Sequence, residues 1–213
     1  MGLFFLPTLL ACYSSVTSLP PPIPLPEGRG GEVGCGAVWM SKPDTGYGGA
    51  CHATFSRLPR LQESIASDAG PTWEYWQPER YEMGVNAHYV RGDDFVNYGL
   101  GLMNRFWFLE GDRVAMGGQL DVGTFWIHAS LPLSVRPLPG VRLYTRPGWQ
   151  FLVGGFVPVG MSVVLGDLFL LSGEFRSVIY RDYAVSGGTD WSRMWTTSLA
   201  LTLRPRMLRL SED

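Results

Sequence analysis

Residues 125–137 read FWIHASLPLSVRP, and every second one is apolar: Phe125, Ile127, Ala129, Leu131, Leu133 and Val135. Between them stand Trp126, His128, Ser130, Pro132, Ser134 and Arg136. A repeat of two residues is the strand period, because successive side chains of an extended chain leave on opposite faces. The stretch predicts a strand with one greasy and one largely polar face. A soluble barrel would bury the greasy face. A membrane barrel would turn it outward to lipid. Which face is wet decides the fold.

The same alternation runs through the chain from about residue 80. Tyr81–Arg91 sets Tyr81, Met83, Val85, Ala87 and Tyr89 against Glu82, Gly84, Asn86 and His88. Segments 98–109, 113–123, 141–151, 157–165, 168–180 and 191–203 repeat the pattern. With 125–137 these are eight strands, and the pair 33–41 and 49–57 makes ten. Glu110-Gly111-Asp112, Pro137–Gly140 and Gly166-Asp167 are tight-turn signals. The intervening connections read as looser, and strand parity slips at Gly123-Thr124, where a turn or bulge must sit. The expected fold is all-β: a closed antiparallel up-and-down barrel of 8–10 strands over residues 33–204. Short turns on one side and longer loops on the other would put residue 32 and the C-terminus on the short-turn, periplasmic side.

Bulk composition agrees. The 213 residues suffice for one barrel, and 27 glycines and 16 prolines suit a turn-rich β protein. A net charge of −2 gives no basic footprint for nucleic acid. No apolar run reaches the roughly 18 residues of a membrane-spanning helix, so membrane contact must come from strands or an anchor.

Residues 1–12 read as an export signal. Leu9-Leu10-Ala11-Cys12 resembles the bacterial lipobox, which implies lipidation of Cys12; the preceding n-region carries no Lys or Arg. Residues 13–32, rich in Ser, Pro and Gly, read as an extended tether with nothing to pack. Cys35 and Cys51 flank the turn-like SKPDTGYGG, so a hairpin can pair them as a disulfide in an oxidising compartment; two independent buried thiols are the alternative. Residues 58–79 form a long periplasmic connection in which Leu58, Leu61 and Ile65 have helical spacing. It is either a short helix under the barrel followed by interfacial aromatics, or a partner-binding element or lumen plug. Residues 205–213 are a tail.

The composition of the polar face settles which face is wet. A soluble barrel would carry Lys, Glu and Thr there. This face is instead rich in Gly, Ser, Ala, Gln and Asn, with charges of both signs: Glu82, Arg105, Arg113, Asp121, Arg136, Arg142, Arg146, Glu174 and Arg176. Small residues suit a crowded bore, and the charges can pair across it. The greasy face is nearly charge-free, Arg193 being the exception that can snorkel to the interface. Trp and Tyr gather at segment ends as an interfacial girdle does. In this pattern the chain resembles the small bacterial outer-membrane β-barrel proteins of the OmpA-like and OmpX-like class. The resemblance implies a bacterial outer-membrane location with lipid as its surroundings. Such proteins usually end on an aromatic residue, whereas this chain continues into RPRMLRLSED.

Chemistry is sparse. His128-Ala129-Ser130 is similar to the histidine and serine of the outer-membrane lipid A deacylases, which would make them a catalytic pair if a carboxylate oriented the histidine. The following Leu-Pro departs from that family, and the strand parity points both side chains into the lumen. No phosphate loop, metal motif or cofactor signature occurs. The expected role is structural, assembly-related or partner-binding, with a protein partner at the loops or at 58–79, and not a large pore. The alternatives are an acyl hydrolase using His128 and Ser130, and a soluble lipocalin-like carrier of a hydrophobic ligand.

Overall fold

The computed structural model describes residues 23–25, 30–41, 45–56, 81–93, 96–124, 126–151, 154–181 and 191–204. The signal segment with Cys12, residues 13–22 and 26–29 of the tether, Phe125, the connection 58–79 and the tail 205–213 lie outside these.

Twelve strands form one sheet: β1 (Gly31–Ser41), β2 (Gly46–Ser56), β3 (Tyr81–Gly92), β4 (Val96–Glu110), β5 (Val114–Gly123), β6 (Ile127–Ser130), β7 (Leu133–Leu138), β8 (Val141–Thr145), β9 (Gly148–Gln150), β10 (Gly154–Leu165), β11 (Phe169–Arg181) and β12 (Trp191–Leu203). Every neighbouring pair is antiparallel. The first strand pairs with the last, from Val33 opposite Leu203 to Ser41 opposite Trp195. The sheet is therefore closed and has no free edge, the condition for placing β structure in lipid.

Twelve strands make ten crossings. β6 and β7 pair with β5 in one unbroken register, Gln119 facing Ser130 and Met116 facing Leu133. β8 and β9 likewise share one register against β6 and β7. The interruptions fall at Pro132 and Pro147, which have no N–H to give the ladder. Their carbonyls still accept, from Gly117 N and Leu131 N, each at 2.9 Å. The opening stretch is thus one membrane crossing with a proline in its middle, and the barrel has ten strands.

The expected turns form. Gly111 N bonds Val114 O at 2.9 Å, and Gly140 and Gly166 adopt φ of 76° and 62°, values that glycine reaches without a Cβ clash. The parity slip at Gly123 is a chain reversal closed by Gly123 N to Trp126 O, 2.7 Å. Loop lengths differ from expectation. Opposite the termini, the connections 42–45, 93–95, 124–126 and 151–153 are as short as hairpin turns, and only 182–190 is longer. The longest connection, 57–80, lies on the same side as the termini. Loop length does not distinguish the two ends; the termini do, since Val33 and Leu203 are paired there. We call this the terminus end and the other the far end.

The barrel is inside out relative to a soluble protein. Leu100, Leu102, Leu131, Val159 and Phe175 are exposed on the outer wall, while Arg105 and Arg176 are buried in the bore. In 125–137, Ile127, Leu131, Leu133 and Val135 face outward, and Trp126, His128, Ser130 and Ser134 face inward. Trp39, Tyr47, Tyr89, Tyr98, Trp149 and Trp191 are all exposed at strand ends of the far side, a girdle of amphipathic rings. Arg193 sits among them, outward-facing between Trp191 and Trp195. Cys35 and Cys51 are direct cross-strand partners, joined as a disulfide on the outer face of β1 and β2. Such an apolar belt would bring aggregation in water and is at home in a bilayer. An apolar outside around a polar bore in a closed barrel is the outer-membrane arrangement, and that membrane is where this chain sits.

Candidate functional site

Inward parity on β3, β4 and β5 brings Glu82, Arg105, Gln119 and Asp121 into one line through cross-strand neighbours. Arg105 Nη1 donates to Glu82 Oε2 at 3.1 Å, and its Nε donates to Gln119 Oε1 at 2.8 Å. Gln119 passes the line on, its amide nitrogen donating to both Asp121 oxygens at 2.9 and 2.8 Å. Arg146, from the loop between β8 and β9, approaches Asp121 at 3.9 Å. Glu82 also accepts from Trp107 Nε1 at 3.0 Å. The Arg105 guanidinium lies 5.5 Å from the Trp107 ring centroid, in cation–π range. A second pair, Glu174 with Arg176 at 3.6 Å, stands across the bore, with Arg176 5.0 Å over the Phe156 ring.

A third pair lies at the terminus end. Arg204 Nε donates to Glu32 Oε2 at 2.7 Å, and His52 Nε2 is 3.8 Å from the other oxygen. Among the described residues, the buried carboxylates Glu32, Glu82, Asp121 and Glu174 are thus matched in number by the buried guanidiniums Arg105, Arg146, Arg176 and Arg204. Burying an unmatched charge would cost several kcal/mol, so this balance is a condition of filling the bore with charge.

Of the nine charged residues assigned to the lumen from sequence, Glu82, Arg105, Asp121, Arg146, Glu174 and Arg176 are buried there. Arg113 is not: it is exposed in the turn between β4 and β5. Arg136 is half-buried at the rim and lies 4.0 Å from the exposed Asp112. Arg142 is also half-buried, near the same end. Arg113 stands in a tight turn and Arg136 at an irregularity beside one, where alternation loses its hold. Arg142 keeps inward parity, opposite the buried Ser162, but sits near the rim. Glu32 and Arg204 escaped the sequence reading because they flank its strand boundaries. Extending the alternation of Val33, Cys35 and Ala37 back one residue, and that of Thr202 forward two, puts both inside.

The far half of the bore is largely apolar, with His88, Asn97, His128 and Gln150 as its buried polar members. Val38, Met40, Val90, Phe156, Val178, Tyr180 and Met194 form one buried apolar cluster there. Beside it the Trp126 ring lies against Gly101 and Gly123, whose missing Cβ atoms leave it room, and stacks on His128 at 4.5 Å. A half rich in charge and hydroxyls at the terminus end meets a mostly apolar half at the far end.

His128 and Ser130 are both buried in the lumen wall. His128 sits between Trp126 and Phe156 and hydrogen-bonds Gln150, an amide. No hydrogen bond joins it to Ser130, whose Oγ has no partner among the described residues. Among the described residues no carboxylate is hydrogen-bonded to the ring as acyl transfer would require: Asp121, its cross-strand partner, accepts from Gln119 instead. His88 Nε2 bonds Asn97 Oδ1 at 2.9 Å. Among the described residues, no group of three or more His, Cys, Asp or Glu could hold a metal ion.

The tether also differs from expectation. Ile23, Pro24 and Leu25 are buried inside the bore. Ile23 packs on Tyr144 and Leu170, and Leu25 N donates to Glu82 Oε1 at 2.9 Å. Two apolar side chains with a dry surface in reach do not remain in water.

No protein-family model matches the chain, and no curated protein matches it. Solved structures do, at the level of shape. The S-type phycobiliprotein lyase CPES from Guillardia theta aligns over 84% of this chain and 89% of its own, with 8% identity and TM-score 0.42. Neisserial surface protein A aligns over 84% and 98%, with 13% identity and TM-score 0.37. The KdgM porin, solved with disordered oligogalacturonate, aligns over 82% and 99%, with 8% identity and TM-score 0.42.

Proposed function

We propose that this protein is a non-conducting outer-membrane barrel whose role is structural, assembly-related or partner-binding. The observation that carries the reading is the filled bore. The charge ladder fills it toward the terminus end, and the apolar cluster, with the buried His88, Asn97, His128 and Gln150, fills it toward the far end. A barrel of this width is filled by its own side chains, whereas channels need wider rings. Reconstituted in a planar bilayer, the full chain should give no stable conductance steps. Sustained ohmic steps would overturn the reading. The inward, unassembled His128 and Ser130 favour no hydrolase, and the outward apolar belt favours no soluble carrier.

Two finer points belong to the same proposal. Cys12 carries a lipid anchor, which labelling with radioactive palmitate should detect and the Cys12→Ala variant should abolish. A protein partner docks at the loops or at the connection 58–79.

A further inference from the structure

Ile23-Pro24-Leu25 does more than touch the barrel. Leu25 N is bonded to Glu82 at the start of β3. Ile23 packs on Tyr144 in β8 and on Leu170 at the start of β11. Counted round the ring of ten crossings, β8 and β11 are each four crossings from β3, one in each direction. The three residues therefore cross the bore from wall to wall at the terminus end. Ile23 is 1% exposed and Leu25 8%. Pro24 brings no N–H that would need a partner in the bore, and Leu25 N–H is taken by a carboxylate that Arg105 and Trp107 hold in place. Buried hydroxyls of Thr54, Ser134, Ser162, Ser172 and Thr202 face the same half of the lumen and lack partners among the described residues.

We propose that the terminus end of the bore is a binding site for a short extended apolar peptide segment. The chain's own Ile23-Pro24-Leu25 is its resident ligand and acts as a plug. Glu82 reads the main-chain N–H, and the Tyr144–Leu170 pair takes the apolar side chain. With the far half sealed by its apolar cluster, release of the segment opens a blind cup on the terminus side and not a through-channel. This inference stands apart from the proposed role: a structural barrel can carry such a plug or lack one.

Cysteine accessibility tests it in the full chain, folded in lipid vesicles, with labelling by a membrane-impermeant maleimide located by peptide mass. Leu170→Cys should be protected. Adding Ile23→Asp, which puts a charge against Tyr144 and Leu170, should speed its labelling by about tenfold or more, because access follows the population of the open mouth. Val178→Cys, in the sealed half, should stay protected in both backgrounds and so reports that the barrel is intact. Equal labelling of Leu170→Cys with and without Ile23→Asp would overturn the plug. A second variant covers the case in which Ile23→Asp disturbs assembly. Ile23→Cys combined with Leu170→Cys should cross-link on mild oxidation, and absence of that cross-link would also overturn the proposal.

Discussion

Replacing Arg105 by methionine will lower the barrel's stability in lipid by about 3–5 kcal/mol, the cost of stranding a buried charge. The guanidinium is fully buried and makes the 3.1 Å contact to Glu82 and the 2.8 Å contact to Gln119. Methionine preserves much of the bulk but leaves the buried Glu82 without its countercharge. The loss does not measure what the ion pair contributes. A buried pair draws little net stability once desolvation is counted, and most of the damage comes from the partner left behind. The double variant Arg105→Met with Glu82→Gln should therefore recover most of the loss. The uncharged amide that Glu82→Gln introduces keeps an oxygen able to accept from Trp107 Nε1 or Leu25 N. Chemical unfolding in vesicles, read by intrinsic fluorescence, checks both. A single variant within about 1 kcal/mol of the parent, the scale of exposed ion pairs, would show that the ladder is hydrated.

The second large effect lies on the opposite face of the same strand. Leu102 is outward-facing and 57% exposed, near the middle of β4. Arginine there should cost about 2–4 kcal/mol, the depth-dependent penalty for a cation on the lipid face of a barrel near the midplane. Arg193 supplies the internal control. It is also outward-facing, but it stands at the aromatic end of β12, from where its long side chain reaches the headgroups. Arg193→Leu should change stability by less than about 1 kcal/mol, as near-interface positions do. A soluble barrel would reverse the order, tolerating Leu102→Arg and gaining solubility from it.

The barrel is legible in the sequence because alternation is imposed residue by residue. Once one wall position faces lipid, pleat geometry assigns its neighbours. Ten crossings, the tight turns at Gly111, Gly140 and Gly166, and the reversal at Gly123 follow from that rule and from turn chemistry. So does the inward placement of Glu82, Arg105, Asp121, Arg146, Glu174 and Arg176. Elsewhere the rule has no hold. Arg113 and Arg136 stand at turns and irregularities, where the chain leaves the pleat, and Arg142 faces inward but only at the rim. Loop lengths suggest an asymmetry between the ends that hairpin-like connections on both sides do not show. The largely apolar far half of the bore escapes the sequence reading although its parity is readable: Val90 and Val178 follow His88 and Arg176 at inward positions, and a face judged by its polar members hides them. The plug is not legible at all. Ile23-Pro24-Leu25 lies in a segment of tether composition, and its burial depends on Tyr144 and Leu170, more than a hundred residues away.

Residues 127–135 offer the most direct test of the membrane barrel. Single spin labels placed at each position in turn, on the full chain in lipid vesicles, report collision with oxygen in the bilayer and with a water-soluble nickel chelate. Labels at 127, 129, 131, 133 and 135 should collide with oxygen and be shielded from nickel, while labels at 128, 130 and 134 should be shielded from both. A two-residue period with that phase would place the greasy face in lipid and the polar face in a closed bore. Nickel access at the odd positions, or the absence of any period, would contradict it.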